Sequence, residues 1–244
     1  MYAIDQFNYY KLQNLQSWFF EINSNSNSNI IRLNRQQNVA FTTTSVYKVF
    51  DDRMFMTQRK YKNYLKYIPD CQVVVQMTDL VILEYPRITG SHLPDNTKAV
   101  LSAMKFLANI HAQQDVHGDI KAGNILFSDQ SIIIDFCFSD EVGKARYPLT
   151  YNVSIDDGER HPLATPGNVI LPEHDIYSFA KILQFCTPVH SPHNLYWTAL
   201  ITDILHTRSL NNAILQLESL PTHFNLKSSK QFLQFQGTGS PPRK

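Results

Sequence analysis

Residues 116–137 read VHGDIKAGNILFSDQSIIIDFC and gather His117, Asp119, Lys121 and Asn124 in the spacing H-x-D-x-K-x-x-N, with Asp135 eleven residues after Asn124. These residue types suit one chemistry. A carboxylate such as Asp119 can orient an attacking hydroxyl or take its proton, and Lys121 offers a cation beside it. The amide oxygen of Asn124 and the carboxylate of Asp135 are hard donors of the kind magnesium prefers. Base, cation and two oxygen ligands are what moving a phosphoryl group requires.

The surrounding pattern must hold these residues together. Residues 125–127 and 131–134 read as a small hairpin that would set Asn124 and Asp135 at adjacent strand ends. Before the loop, Asp95 or Asn96 could cap a helix with the apolar face Val100, Leu101, Met104, Leu107 and Ala108, ending near His111. Further upstream the pattern predicts strands at 30–33, 39–41, 45–50, 71–76 and 80–85, the last two joined by an MTD turn. SVYKVF at 45–50 alternates like a half-buried strand. Between the third and fourth strands, Tyr61, Tyr64, Leu65 and Ile68 mark one face of a helix over 53–68 that Pro69 closes. Residues 86–96, with Gly90 and two prolines, read as an irregular connector, and helices follow at 175–185, 194–205 and 210–220. The SNSNSN run at 24–29 reads as a linker, and GTGSPPRK at the end as a disordered tail.

Composition sets the outer limits. With 244 residues, 43% hydrophobic and 18% charged, the chain is that of a globular protein, long enough for one domain or two small lobes. A net charge of +1 gives no electrostatic reason for nucleic-acid or membrane binding. Cys71, Cys137 and Cys186 are odd in number and form no CxxC pair, which points to a reducing compartment. No signal peptide or apolar span of about 18 residues is present, so an intracellular protein, cytoplasmic or nuclear, is expected. His161, His174, His190, His193 and His206 match no zinc spacing and read as surface or loop residues.

The 117–135 pattern resembles the catalytic loop and metal-binding motif of protein kinases. The resemblance runs from about residue 30 to 220. It implies an α+β, two-lobed fold: an N-terminal extension (1–29), a small β-rich N-lobe (30–85), a mainly helical C-lobe (86–225) and a tail (226–244). It gives Asp119 the role of catalytic base, Lys121 that of phosphate cation, and Asn124 and Asp135 those of magnesium ligands. Lys48 in VYKVF matches the strand lysine that contacts nucleotide phosphates, Leu83 the gatekeeper, and Glu84 and Tyr85 the hinge that binds adenine through its backbone. Pro172 and Glu173 resemble the end of the activation segment, and Asp175 the aspartate that braces the catalytic loop. Arg208 would pair with Glu173.

Several positions depart from the family pattern. The first glycine is Gly90, so no glycine-rich loop precedes Lys48, although Thr42, Thr43, Thr44 and Ser45 could supply hydroxyls there or form an ordinary strand. Residues 53–68 contain no glutamate to pair with Lys48, and Gln58 is the nearest polar substitute. Cys137 replaces the glycine after Asp135-Phe136 and reads as a small buried hydrophobe. Gly118 stands where many kinases carry an arginine that receives an activation-loop phosphate, and Asp175 follows Glu173 so closely that the peptide-docking part looks shortened. The expectation is an ATP- and Mg2+-dependent serine/threonine protein kinase of reduced activity, acting on a protein substrate or a regulated partner. Two alternatives stay open: a pseudokinase that binds or regulates, and a small-molecule phosphotransferase resembling the aminoglycoside and choline kinases.

Overall fold

The computed structural model describes residues 32–33, 39–51, 58–77, 80–94, 96–149, 160–186 and 194–220. The SNSNSN run, the MTD turn, Asp95, His190, His193 and the tail lie wholly or partly outside them. The architecture mixes α and β, with three sheets and five α-helices among the described residues. Contacts divide the chain into two compact units, Met1–Thr57 with Ile68–Ile88, and Gln58–Tyr67 with Thr89–Lys244. Helix α1 (Gln58–Tyr67) thus belongs to the second unit, although its sequence neighbours on both sides lie in the first.

The first unit is an antiparallel sheet in the order β1-β2-β3-β5-β4, formed by Arg32–Leu33, Val39–Phe41, Ser45–Asp51, Gln72–Met77 and Leu80–Pro86. β-Branched and aromatic residues dominate β3 and β5, as pleated surfaces favour. The period-two reading of β3 as half-buried does not hold: Val46, Tyr47, Lys48, Val49 and Phe50 are all buried. A strand in the middle of a sheet and covered on both faces has no solvent side for its polar residues. The β2–β3 connection is a turn built by Thr42, whose Oγ1 accepts from Ser45 N at 2.8 Å and from Thr44 N at 3.3 Å. That side chain serves its own backbone: residues 42–44 turn the chain between β2 and β3, and Ser45 opens β3.

The second unit centres on α2 (Thr97–Ala112), which buries Ala99, Val100, Ala103, Met104, Leu107 and Ile110 along one face. Asn96 caps it, its side chain accepting from Ala99 N at 2.8 Å, which satisfies an amide that the helix itself leaves open. Two short pairings follow, β6 (Asp115–Val116) with β9 (Asp140–Glu141) and β7 (Ile125–Leu126) with β8 (Ile132–Ile133). Helices α3 (Pro172–Cys186), α4 (Asn194–Thr207) and α5 (Asn211–Glu218) complete the unit. Of the expected face, Tyr64 and, just past the end of α1, Ile68 are buried, whereas Leu65 is exposed and Tyr61 half-buried; Asn63 and Tyr67 are buried as well, so the inward face is rotated from the expected one. Val116, Ala145, Tyr147, Ala164 and Ile170 form a small core that pins the segment after β9 against the end of β6. Among the described residues no helix is long and apolar enough to cross a membrane.

Candidate functional site

The loop between β6 and β7 is organised around two buried side chains, His117 and Asp119. His117 Nε2 lies 3.0 Å from the carbonyl of Ile134, and its Nδ1 is 3.2 Å from the amide of Asp119. A carbonyl only accepts and an amide only donates, so the ring carries its proton on Nε2 and both nitrogens are satisfied in the neutral form. Complete burial holds the His117 pKa below its ordinary value, even though Asp175, Asp119 and Asp135 pull it upward.

Asp119, Lys121 and Asn124 come together as the spacing predicts. The Lys121 ammonium is 2.9 Å from Asp119 Oδ2, and Asn124 Nδ2 donates at 2.8 Å both to that oxygen and to the Asp119 carbonyl. A 3-10 turn over Ala122–Asn124 folds the asparagine back onto the aspartate. With its NH2 committed to Asp119, the Asn124 amide turns its oxygen the other way. The Asn124 carbonyl accepts from Ile134 N at 2.8 Å, which ties the turn to the strand leading into Asp135. The β7–β8 hairpin therefore links the two expected ligands as the sequence implies.

Asp135 adopts φ 67° and ψ 65°, the left-handed region that costs a non-glycine residue roughly 1–2 kcal/mol. Its surroundings hold it there. Phe136, fully buried, stacks on Tyr67 at 5.3 Å and meets Tyr64 and His117 edge-on at 5.6 and 4.9 Å. The Tyr64 hydroxyl donates to Asp135 Oδ1 at 3.0 Å and lies 3.6 Å from Cys137 Sγ, and Asn63 Nδ2 donates to Ser139 Oγ at 2.6 Å. Cys137 is only half-buried and touches a hydroxyl, so it is not the purely apolar filler expected.

The backbone of the loop at His117 and Gly118 is braced from α3. Asp175 is almost completely buried, and its two oxygens accept from His117 N and Gly118 N at 2.8 Å each, with His111 Nε2 at 3.1 Å. Burial alone would raise this carboxyl, but His111 and the backbone donor hold it below the usual carboxylate value. Arg208 Nη1 reaches Glu173 Oε1 at 3.2 Å, the pairing the sequence resemblance implies. Gly118 has φ +79°, and a Cβ there would sit 2.8 Å from Ile170 Cδ1 and 3.1 Å from Phe138 Cβ. Any side chain there is strained by the backbone and has to displace Ile170 and Phe138, which disfavours the arginine found at this position in many kinases.

In the sheet unit, Lys48 is buried on β3 opposite Leu83 of β5, with its ammonium 5.9 Å from the Phe50 ring centre. Glu84 accepts from Tyr47 Oη at 2.8 Å and from Gln72 Nε2 at 3.3 Å, and burial together with Glu84 pushes the Tyr47 hydroxyl up to about 12. The register between β4 and β5 ends at Gln72–Glu84, whereas β3 continues along β5 to Pro86, leaving Tyr85 registered with β3 alone.

Two contacts of the site carry no signal in the sequence. Arg160 places its guanidinium on Asp119 Oδ1, with only 11% of that side chain exposed. A lone arginine in an irregular stretch looks the same whatever it touches. Tyr64 is marked by helical spacing as inward-facing, but the direction of its hydroxyl is not. His174 corrects the reading of the histidines as surface or loop residues: it is buried on α3, stacked 4.4 Å from half-buried His161, and its Nδ1 is 3.2 Å from Tyr147 Oη. Its Nε2 is buried without a hydrogen-bond partner. Burial lowers the pKa of both histidines, and for His161 the neighbouring ring adds to this.

No protein-family model matches the chain. Over 97 residues it is 34% identical to the proto-oncogene serine/threonine-protein kinase mos of Sus scrofa, a stretch covering 39% of this chain. The match spans 27% of the length of that kinase. The similarity supports a kinase-like relationship for that stretch.

Proposed function

We propose that the protein is an ATP-dependent phosphotransferase of the serine/threonine protein-kinase type, with Asp119 as base, Lys121 as phosphate cation, and Asn124 and Asp135 as magnesium ligands. The observation that carries this reading is the convergence of Lys121 and Asn124 on one buried carboxylate, within 2.9 Å, on a loop tied by hydrogen bonds to the strand that ends at Asp135. The donor set fits the metal: an amide oxygen turned away from Asp119 and a carboxylate are hard ligands. When bound, Mg2+ neutralises charge on the nucleotide phosphates. The chain's own contribution is to hold Asp119 toward an acceptor hydroxyl, to keep Lys121 beside it, and to fix both ligand-bearing turns through His117 and Asp175. Lys48 is assigned to the nucleotide phosphates, and the backbone of Glu84 and Tyr85, near the end of β5, to adenine. The acceptor is proposed to be a protein hydroxyl, in an intracellular compartment.

Arg160 on Asp119 favours a second reading, a binding or regulatory module in which the base is masked. The test is transfer of labelled phosphate from ATP, with Mg2+ or Mn2+, to the protein itself and to basic and acidic protein acceptors. Transfer that Asp119→Asn lowers by at least 100-fold supports the enzyme, in line with the usual contribution of a positioned base. Equal transfer by the variant removes Asp119 from the chemistry. No transfer by folded protein with either metal moves the assignment to the binding module.

A further inference from the structure

We infer that Tyr64 is a positioning residue for Asp135, the residue through which helix α1 sets the direction of the proposed metal-binding carboxylate. The inference rests on the assignment of Asp135 as a ligand. Kinases pair a helix glutamate with the strand lysine, and α1 has no acidic residue with which to do so. Its inward face presents a phenol instead, fully buried, whose hydroxyl donates to Asp135 Oδ1 at 3.0 Å. A carboxylate offers no donor, so the direction of this bond is fixed.

The contact is one of several by which α1 grips the same short segment. Tyr67 stacks on Phe136 and Asn63 donates to Ser139, so the helix holds residues on both sides of Cys137 while Tyr64 holds Asp135. The Tyr64 ring, edge-on to Phe136, has no room to swing, and its hydroxyl is further confined by Cys137 Sγ at 3.6 Å. A donor fixed in this way fixes the rotation of the Asp135 carboxyl and hence the direction of its other oxygen. The phenol is also neutral. A lysine or arginine in its place would cancel the charge that Asp135 would bring to a cation, whereas a tyrosine orients the carboxylate and leaves its charge intact. Hydrogen bonds of this kind to ligating carboxylates typically govern metal affinity by 10- to 100-fold.

The experiment is titration of Mn2+ into the full chain with ATP present, followed by the loss of the free-ion paramagnetic resonance signal, for wild type, Tyr64→Phe and Asp135→Asn. Tyr64→Phe removes only the hydroxyl and keeps the ring on Phe136. The expected result is binding weakened by about 10- to 100-fold in Tyr64→Phe, with a cooperative thermal transition retained. In parallel, the Mg2+ concentration for half-maximal transfer should rise while turnover at saturating Mg2+ changes far less, a split that a loss of general packing would not produce. Wild-type affinity in a folded Tyr64→Phe, with binding lost in Asp135→Asn, overturns the inference and leaves Asp135 as a ligand. Equal binding by all three proteins, or none by wild type, overturns the ligand assignment and the inference with it.

Discussion

Replacing Gly118 by alanine tests how closely the loop between β6 and β7 is packed. A non-glycine residue at φ +79° costs roughly 1–2 kcal/mol in backbone conformation. The new methyl would lie 2.8 Å from Ile170 Cδ1 and 3.1–3.2 Å from Phe138 Cβ and its carbonyl oxygen. Ile170 is fully buried, so its Cδ1 can move only by disturbing its own packing, and overpacking adds about 1–3 kcal/mol. The sum, about 2–5 kcal/mol, is a large share of the stability of a typical domain and corresponds to a fall in Tm of roughly 4–20 °C. Two other glycines separate the contributions. Gly143 has φ +82° and nothing within 4 Å of a built Cβ, so its alanine variant should show the conformational cost alone. Gly123 has neither the positive φ nor a neighbour, and alanine there should be neutral or slightly stabilising. Urea denaturation of the three variants gives the comparison directly. A Gly118→Ala protein no less stable than Gly143→Ala would refute the packing argument, and one no less stable than Gly123→Ala would refute the conformational argument as well.

Acid should destabilise the fold from about pH 6.5 downward: His117, His161 and His174 are held neutral below their ordinary pKa, so the unfolded chain binds more protons there and stability rises with pH. Their contribution is complete above the unfolded value and is lost as pH falls through the folded ones; Asp175, also depressed, adds its own loss only below about pH 4. Urea midpoints between pH 8 and 5 check this, and a flat profile contradicts it. On the proposed assignment, Arg160→Ala, which uncovers Asp119 Oδ1, is expected to raise phosphate transfer several-fold, as measured with labelled ATP; lower transfer by a folded variant would show that the arginine helps to hold Asp119 in place.

What could be read from the sequence follows the physics of each feature. Strand positions and the hairpin between Asn124 and Asp135 were legible because alternation, apolar runs and turn residues are local. The gathering of Asp119, Lys121 and Asn124 was legible because the three lie within six residues on one loop. The Glu173–Arg208 pair was legible only through a family pattern, since the two are distant in sequence. Contacts that depend on how one segment rotates or folds onto another were not. The inward face of α1 is legible only in part: Tyr64 and Ile68 are buried as expected, but Tyr61 and Leu65 satisfy helical spacing as well as Tyr67 does, and packing alone decides among them. The turn at Thr42, the Arg160–Asp119 pair and the burial of His174 depend on single polar atoms finding partners, which periodicity does not encode.

The brace from Asp175 also bears on how this part of the molecule opens. The amides of His117 and Gly118 donate to a side chain on α3, not to a neighbouring strand or turn. Amide protons in an irregular loop ordinarily exchange with solvent through small local fluctuations, whereas these two are released only when the loop and the first turn of α3 separate. Separation would leave a buried carboxylate without its donors, so it requires α3 to give way as well. The loop at His117 and Gly118 and α3 therefore form one cooperative opening unit, tied through one carboxyl group across 57 residues of sequence.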